Sequence, residues 1–313
     1  MLNSILTLSV TQNASDVHLS SGEAPCIRVN GQLQFLSENK LSQLELEIEL
    51  FNLLERSQID TLKQSGQIDF AHHFAELGRF RVNIFFQQRG ISAVFRVINH
   101  RIPTLSQINA PAIFRELAVN ESGLILVTGA TGSGKSTTLA SLIQYINSTV
   151  AKHIITLEDP IEYIYQNDKS LIHQRELVNL ECAIDGLLRQ DPDIILLGEL
   201  RNKHSIQAAL TAAETGHLVF ATLHTSSAIQ TINRIIDVFE DNSRDFIRSQ
   251  LSNSLKAIIN QKLVPTENGR KALFEILINT PAVSNLINEG KMKQIFTLMQ
   301  TGQQYGMQVM PEN

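Results

Sequence analysis

Residues 129 to 136 read Gly129-Ala130-Thr131-Gly132-Ser133-Gly134-Lys135-Ser136, between the apolar run Leu124-Ile125-Leu126-Val127 and an amphipathic segment from Thr137 to Val150. The spacing is that of a phosphate-binding loop. Glycine at 129, 132 and 134 permits backbone angles that other residues resist, so successive N–H groups can turn inward on phosphate oxygens at a helix N-terminus. The cradle is expected to run from Gly129 through Ala130, Thr131, Gly132, Ser133 and Gly134 to Lys135, Ser136 and Thr137. Lys135 then reaches the β- and γ-phosphates, and Ser136 offers a hydroxyl to Mg2+. Leu139, Leu142, Ile143, Ile146 and Val150 follow helical spacing, so a buried strand leads into the loop and a helix opens from it.

The chain has 313 residues, enough for two domains at roughly 100–200 residues each. Asp and Glu number 31 against 26 Lys and Arg, a net charge of −5. That balance supplies no whole-chain attraction to nucleic acid or anionic lipid, and nucleic acid is not the expected partner. Cys26 and Cys182 lie far apart without CxxC spacing and read as reduced residues of a cytosolic protein, not as a disulfide or zinc framework. No uncharged apolar run reaches about 18 residues, the least that suggests a membrane span. Met1 to Leu6 lacks a positive n-region and reads as the start of an ordinary helix, not a signal peptide.

After that helix, Asp16 to Ser20 and Cys26 to Val29 read as strands, the second turning at Asn30-Gly31 into Gln32 to Phe35. The spacing predicts a helix over 41–54 that buries Leu41, Leu44, Ile48 and Phe51 and turns Glu45, Glu47 and Glu49 outward. Strands are expected over Ile68 to Phe74, Arg79 to Gln87 and Ile91 to Ile98. In the middle one Phe80, Val82, Ile84 and Phe86 alternate with Arg79, Arg81, Asn83 and Phe85. This is a small α+β domain over 1–100. The pattern stops between Asn99 and Pro111, which places a linker at 101–105 and a second domain at 106–313. There, His153 to Leu157, Asp193 to Leu197 and Leu218 to Thr222 are short apolar runs without alternation, as in central parallel strands covered on both faces. Ligands of open α/β sheets bind beyond the carboxyl ends of the strands, so the polar tails of these runs should converge on the loop.

The first tail holds Glu158, Asp159 and Glu162, carboxylates suited to Mg2+ directly or through water, or else a solvated acidic loop. The second is Gly198-Glu199. Many phosphate-loop ATPases have an aspartate followed by a glutamate there, and only the glutamate remains. Glu199 is the candidate for orienting or deprotonating water, with a structural salt bridge as the alternative. The third strand is bracketed by His217 and His224. His224, at its carboxyl end, is the better placed to sense a γ-phosphate, although a single histidine is more often a satisfied hydrogen-bonder.

Four ordered segments, GATGSGKSTT (129–138), TLEDPIE (156–162), RQDPDIILLGELR (189–201) and TAAETGHLVFATLHT (211–225), resemble the type II/IV secretion-ATPase superfamily. Within it the chain is most similar to the PilT-like retraction ATPases of type IV pili. ASDVHLSSGEAPCIRVNG (14–31) and GRFRVNIFFQQRGISAVFRVI (78–98) also look like that family's PAS-like domain. The resemblance implies an α/β RecA-like P-loop core behind a smaller PAS-like α+β domain, and Mg2+-dependent hydrolysis of ATP by a homo-hexameric ring. It further implies a cytoplasmic motor associated with an inner-membrane pilus platform protein and, in some systems, with a paralogous ATPase. It makes Glu158 part of an acidic box, and His217 and His224 parts of a histidine box. Arg79, Arg81 and Arg96 become candidates for neutralising nucleotide phosphates, the alternative being an exposed sheet face.

Two departures stand out. The family's GEMRD reads Gly198-Glu199-Leu200-Arg201-Asn202, one negative charge fewer. Its AIRNL reads Ala282-Val283-Ser284-Asn285-Leu286, without the arginine, on a short helix that Thr280-Pro281 should start and Gly290 end. Rival readings are a type II secretion or pilus-assembly ATPase, a nucleotide-binding regulatory paralogue, and, more distantly, a small-molecule kinase.

Overall fold

The spacing of apolar residues sets the elements, and the computed structural model shows how they pack. It describes residues 1–29, 31–75, 77–98, 101–176, 186–266 and 269–311. The chain divides into two compact units, Met1–Arg101 and Ile102–Asn313.

The first unit runs α1 (Leu2–Thr11), β1 (Asp16–Ser20), β2 (Cys26–Val29), β3 (Gln32–Phe35), α2 (Gln43–Phe51), α3 (Arg56–Ser65), β4 (Gln67–Phe74), β5 (Gly78–Gln87) and β6 (Gly90–Val97). The strands form an antiparallel sheet in the order β3-β2-β1-β6-β5-β4. Asn30 of the expected Asn30-Gly31 turn lies outside the described residues, while Gly31 has φ +85°. Alternation in β5 puts Phe80, Val82 and Ile84 wholly in the core, and it fails only at Phe86, near the strand's end, which is exposed. Helix α2 corrects the sequence reading. It is shorter than predicted and buries Leu46 and Leu50, whereas Leu44 is 67% and Ile48 53% exposed. Apolar residues occupy 44, 46, 48 and 50, so two i,i+4 pairs lie about 200° apart around the helix and tertiary packing selects between them.

The second unit runs α4 (Ile113–Ala118), β7 (Gly123–Thr128), α5 (Lys135–Thr149), β8 (His153–Glu158), β9 (Leu171–Glu176), β10 (Ile194–Leu197), α6 (Lys203–Glu214), β11 (Leu218–Leu223), α7 (Ala228–Asp237), α8 (Arg244–Ser254), β12 (Leu255–Thr266), β13 (Gly269–Ile278), α9 (Pro281–Asn288) and α10 (Met292–Thr301). Its sheet has the order β13-β12-β7-β11-β10-β8-β9, parallel except for the β12–β13 pair. Every residue of β7, β10 and β11 is buried, as unalternating runs require when helices cover both faces. Leu124 and Leu126 pack with α6 to α10, while Ile125 and Val127 pack with α4 and α5. The β12–β13 hairpin falls in a stretch that the sequence reading left undivided, and β12 is the direct neighbour of β7. Among the described residues no helix is long and apolar enough to cross a membrane.

Candidate active site

A cleft of about 690 Å3 lies at the carboxyl ends of β7, β8, β10 and β11. Strand β7 delivers the chain to Gly129, Gly132 and Gly134, with φ of +144°, +76° and +89°. These lie in the region that L side chains avoid, which is the conformational reason for glycine here. Helix α5 then begins at Lys135 with no side-chain cap, so its first N–H groups face the loop unclaimed by a side chain. The Ser133 hydroxyl is buried without a partner, and a Cβ at Gly132 would meet nothing within 4 Å. An uncapped helix N-terminus behind glycines, with open space beside it, fits a nucleotide's phosphates.

Lys135 is buried, and its Nζ donates to the carbonyls of Gly129 at 2.9 Å and Ala130 at 3.0 Å. Burial lowers its pKa, with the charges of Glu199 and Glu162 acting in opposition. Thr131, Gly132, Gly134 and Ser136 also line the cleft. Thr137 does not; its hydroxyl shares a 2.8 Å hydrogen bond with Tyr163 OH, fixing the first turn of α5 to the segment after β8.

At the end of β8, Glu158 Oε1 accepts from Thr156 Oγ1 at 2.7 Å. Burial raises its pKa and the neighbouring Glu162 charge adds to the rise, while the Thr156 and Gln174 hydrogen bonds oppose it. Asp159 and Glu162 line the same wall and are exposed. No group of three His, Cys, Asp or Glu able to hold a metal occurs among the described residues. The donor set instead suits Mg2+ in the manner usual with nucleotides, on one hydroxyl or carboxylate, waters and substrate phosphates.

After β10, Glu199 lies between an imidazole and a guanidinium: Oε1 is 3.3 Å from His224 Nε2, and Oε2 accepts from Arg201 Nε at 2.9 Å. Asn202 accepts from Ser205 N at 3.0 Å and caps α6. Asparagine and aspartate cap about equally well, so at the cap the departure from the family's aspartate forfeits a charge–dipole term of about 0.3–1 kcal/mol, and it leaves the cleft wall that Asn202 lines one negative charge short.

A family model for type II/IV secretion system proteins matches residues 1–271. The chain belongs to that family. The uncharacterized protein YggR of Escherichia coli K12 is 48% identical over 312 residues, covering 98% of this chain and 94% of that protein. The type IV pilus retractation ATPase PilT of Pseudomonas aeruginosa PAO1 is 43% identical over 314 residues, covering 99% and 91%. A solved structure of the pilus retraction motor PilT with bound ADP matches with TM-score 0.91 at 42% identity, over 95% of this chain and 89% of that one. The secretion-family chain is thus an ATPase whose α/β RecA-like core follows its α+β unit in sequence.

Within this family member, Thr131, Gly132, Gly134, Lys135, Ser136, Glu158, Asp159, Glu162, Glu199 and His224 line one cleft, whereas Gly129, Ala130, Ser133 and Thr137 do not line it. His217 is not brought there. It precedes β11 whereas His224 follows it, and its Nδ1 lies 3.0 Å from the Ala212 carbonyl at the end of α6. A strand of six residues lies between the two histidines, which puts their Cα atoms about 23 Å apart. Arg79, Arg81 and Arg96 lie in the first unit. Arg81 and Arg96 are paired across β5 and β6, and each meets a carboxylate of its own sheet, Asp69 at 3.8 Å and Asp16 at 2.8 Å. Arg79, the second residue of β5, is paired with His73 of β4. Cys26 is buried with a free thiol, and Cys182 lies outside the described residues.

Sequence reasoning missed Tyr163 and Arg270, which line the cleft, and Asn260 and Gln261 of β12. The available signal was two consecutive amides directly after the apolar run Ala257-Ile258-Ile259.

Proposed function

We propose that this ATPase drives retraction of a type IV pilus, working as a homo-hexameric ring in the cytoplasm against an inner-membrane platform protein. The observation that carries the reading is the near full-length match, in sequence and in fold, to a pilus retraction motor. In the proposed cycle the loop N–H groups and Lys135 hold the β- and γ-phosphates. Glu199, fixed by His224 and Arg201, orients water and takes its proton. His224 registers the γ-phosphate from the end of β11. Ser136, with Glu158, Asp159 or Glu162 through water, would hold Mg2+, which when bound neutralises charge developing on the transferred phosphoryl group. Arg79, Arg81 and Arg96 add positive charge from the N-terminal unit of the same or a neighbouring chain. Ordering around the γ-phosphate and release after hydrolysis then change the geometry of the ring.

The test is complementation of a strain lacking its retraction motor, read as twitching-zone diameter and bead-pulling force, alongside Mg2+-dependent phosphate release from the purified chain. Restored retraction supports the proposal. Hydrolysis without any restored retraction favours the second reading, a regulatory or assembly ATPase, for which Ser284 in place of the signature arginine is the favouring observation.

A further inference from the structure

The phosphate loop is gripped by a strand remote from it in sequence. In β12, Asn260 and Gln261 are each 1% exposed, and strand alternation sends their side chains to opposite faces of the sheet. Gln261 spans two partners: Oε1 accepts from Thr138 Oγ1 of α5 at 2.7 Å, and Nε2 donates to the Ser133 carbonyl at 2.6 Å. A trans peptide is planar with its N–H opposite its C=O, so tying the Ser133 carbonyl to Gln261 turns the Gly134 N–H away from Gln261. Gly134 itself lines the cleft and Gln261 does not. The approach is close enough to require the glycines. A Cβ at Gly129 would stand 2.4 Å from the Gln261 carbonyl oxygen, and one at Gly134 would stand 2.8 Å from Gln261 Nε2.

Asn260 works on the other face. Its Nδ2 donates to Thr128 Oγ1 and to the Thr225 carbonyl, both at 2.9 Å. Thr128 is the residue before Gly129, and Thr225 is the residue after His224. The Thr225 carbonyl only accepts, so the amide nitrogen must face it, and Asn260 Oδ1 is left buried without a partner. A buried unsatisfied oxygen is unfavourable, which makes a merely space-filling role a poor account of asparagine at this position. The segment beyond His224 is fastened a second time by Glu275 of β13, whose carboxylate accepts from Ala228 N.

We propose that Asn260 and Gln261 are positioning residues for the ATPase reaction. Gln261 aims the Gly134 N–H at the phosphates, and Asn260 fixes His224 relative to the loop. The inference rests on reading the cleft as the ATP site.

The test measures fluorescent (mant-)ATP binding, steady-state kcat and KM, and thermal melting for the full chain and three variants. Gln261→Met keeps length but loses both hydrogen bonds, and mant-ATP affinity should fall at least tenfold. Asn260→Leu should leave mant-ATP affinity within threefold and lower kcat at least tenfold. Gln261→Glu sets a carboxylate against the Ser133 carbonyl at pH 8; burial at this position, which is 1% exposed, raises the carboxyl's pKa, and the protonated form regains a donor. Its activity relative to wild type should therefore rise severalfold between pH 8 and pH 6, while that of Gln261→Met stays flat. If Gln261→Met fails to fold, the Gln261→Glu ratio decides the Gln261 role. Wild-type binding and turnover in both Gln261→Met and Asn260→Leu, or a Gln261→Glu ratio as flat as that of Gln261→Met, overturns the proposal. A wild-type chain that does not hydrolyse ATP overturns the reading of the cleft and this inference with it; a wild-type chain that does, beside unaffected variants, overturns this inference alone.

Discussion

Glu199 and His224 meet across neighbouring parallel strands, carboxylate Oε1 to imidazole Nε2, at 3.3 Å, and Arg201 holds the other carboxylate oxygen at 2.9 Å. A carboxylate fixed on both oxygens is oriented to accept a proton from water in the cleft. Glu199→Gln keeps the shape and removes the base. ATP binding should remain close to wild type while turnover falls by about 10²–10⁴-fold, the usual worth of general acid–base catalysis. Phosphate release at saturating ATP, beside equilibrium nucleotide binding, checks this. Near wild-type turnover would remove Glu199 from the chemistry.

Lys135 is a buried ammonium whose pKa is lowered by burial from the ordinary 10.5. A base with a lowered folded pKa opposes folding while charged, and the penalty lifts as pH rises through the folded value. Lys135→Met removes that penalty together with the phosphate contact. The nucleotide-free melting point at pH 7 then sets that gain against the two hydrogen bonds lost at the Gly129 and Ala130 carbonyls. The stabilisation by ADP or ATP, about 2.7 kcal/mol when ligand stands at 100 times Kd, should vanish. Melting curves with and without nucleotide decide it; a retained shift contradicts the role given to the loop.

A ring built on a heterologous interface lets one chain complete its neighbour's site. Arg81→Ala and Lys135→Ala chains, each impaired alone, should then regain part of their turnover when mixed, because some interfaces pair an intact arginine with an intact loop. Phosphate release from mixtures is the measurement. No recovery despite demonstrated subunit exchange would confine Arg81 to its own chain or remove it from the reaction.

Glu275 is buried at the N-terminus of α7, and burial raises its pKa above the ordinary 4.5, while the Ala228 N–H and Lys262 act in opposition. A raised folded pKa means that the stability it contributes is fully present below the unfolded value and is lost as pH rises through the folded one. Glu275→Gln keeps an oxygen for Ala228 N without the buried charge. The variant should be more stable than wild type at pH 7–8, with the difference closing as pH approaches 4.5. Denaturant midpoints across that range test the sign, and a destabilised variant at pH 8 would show that the charge at the helix end outweighs its burial.

The phosphate loop, the parallel strands that carry Glu158, Glu199 and His224, and the short strands of the first unit were legible because each rests on local signals. These are glycines at fixed offsets, unbroken apolar runs and period-two alternation. Long-range packing was not legible. In α2 two apolar stripes competed, and the sheet selected Leu46 and Leu50 over Leu44 and Ile48. His217 and His224 bracket one strand in sequence, but a strand separates its ends, so only His224 reaches the cleft. Gln261 lies 128 residues from Ser133, a distance at which no local pattern connects them.

Helix α9 begins at Thr280 and Pro281, as those residues predict, and the Thr280 side chain accepts from Val283 N. Ser284 is half-buried on it and donates to the Ser252 carbonyl, near the end of α8, at 2.9 Å. Asn279 Nδ2 donates to that same carbonyl at 2.8 Å, so the acceptor keeps a partner when Ser284 is replaced. An arginine at 284 need not disturb the core: its stem can lie along the α8–α9 seam while the guanidinium reaches solvent. There it offers five donors suited to a carboxylate on a neighbouring chain or platform protein, which serine does not. Neither helix contributes to the cleft wall. Ser284→Arg should accordingly leave ATP turnover nearly unchanged and increase retraction, read as bead-pulling force or twitching-zone diameter in a strain without its own motor. Full retraction by the unmodified chain would show that serine suffices at this position. Loss of hydrolysis in Ser284→Arg, with the protein still folded, would instead tie the α8–α9 seam to the catalytic cleft.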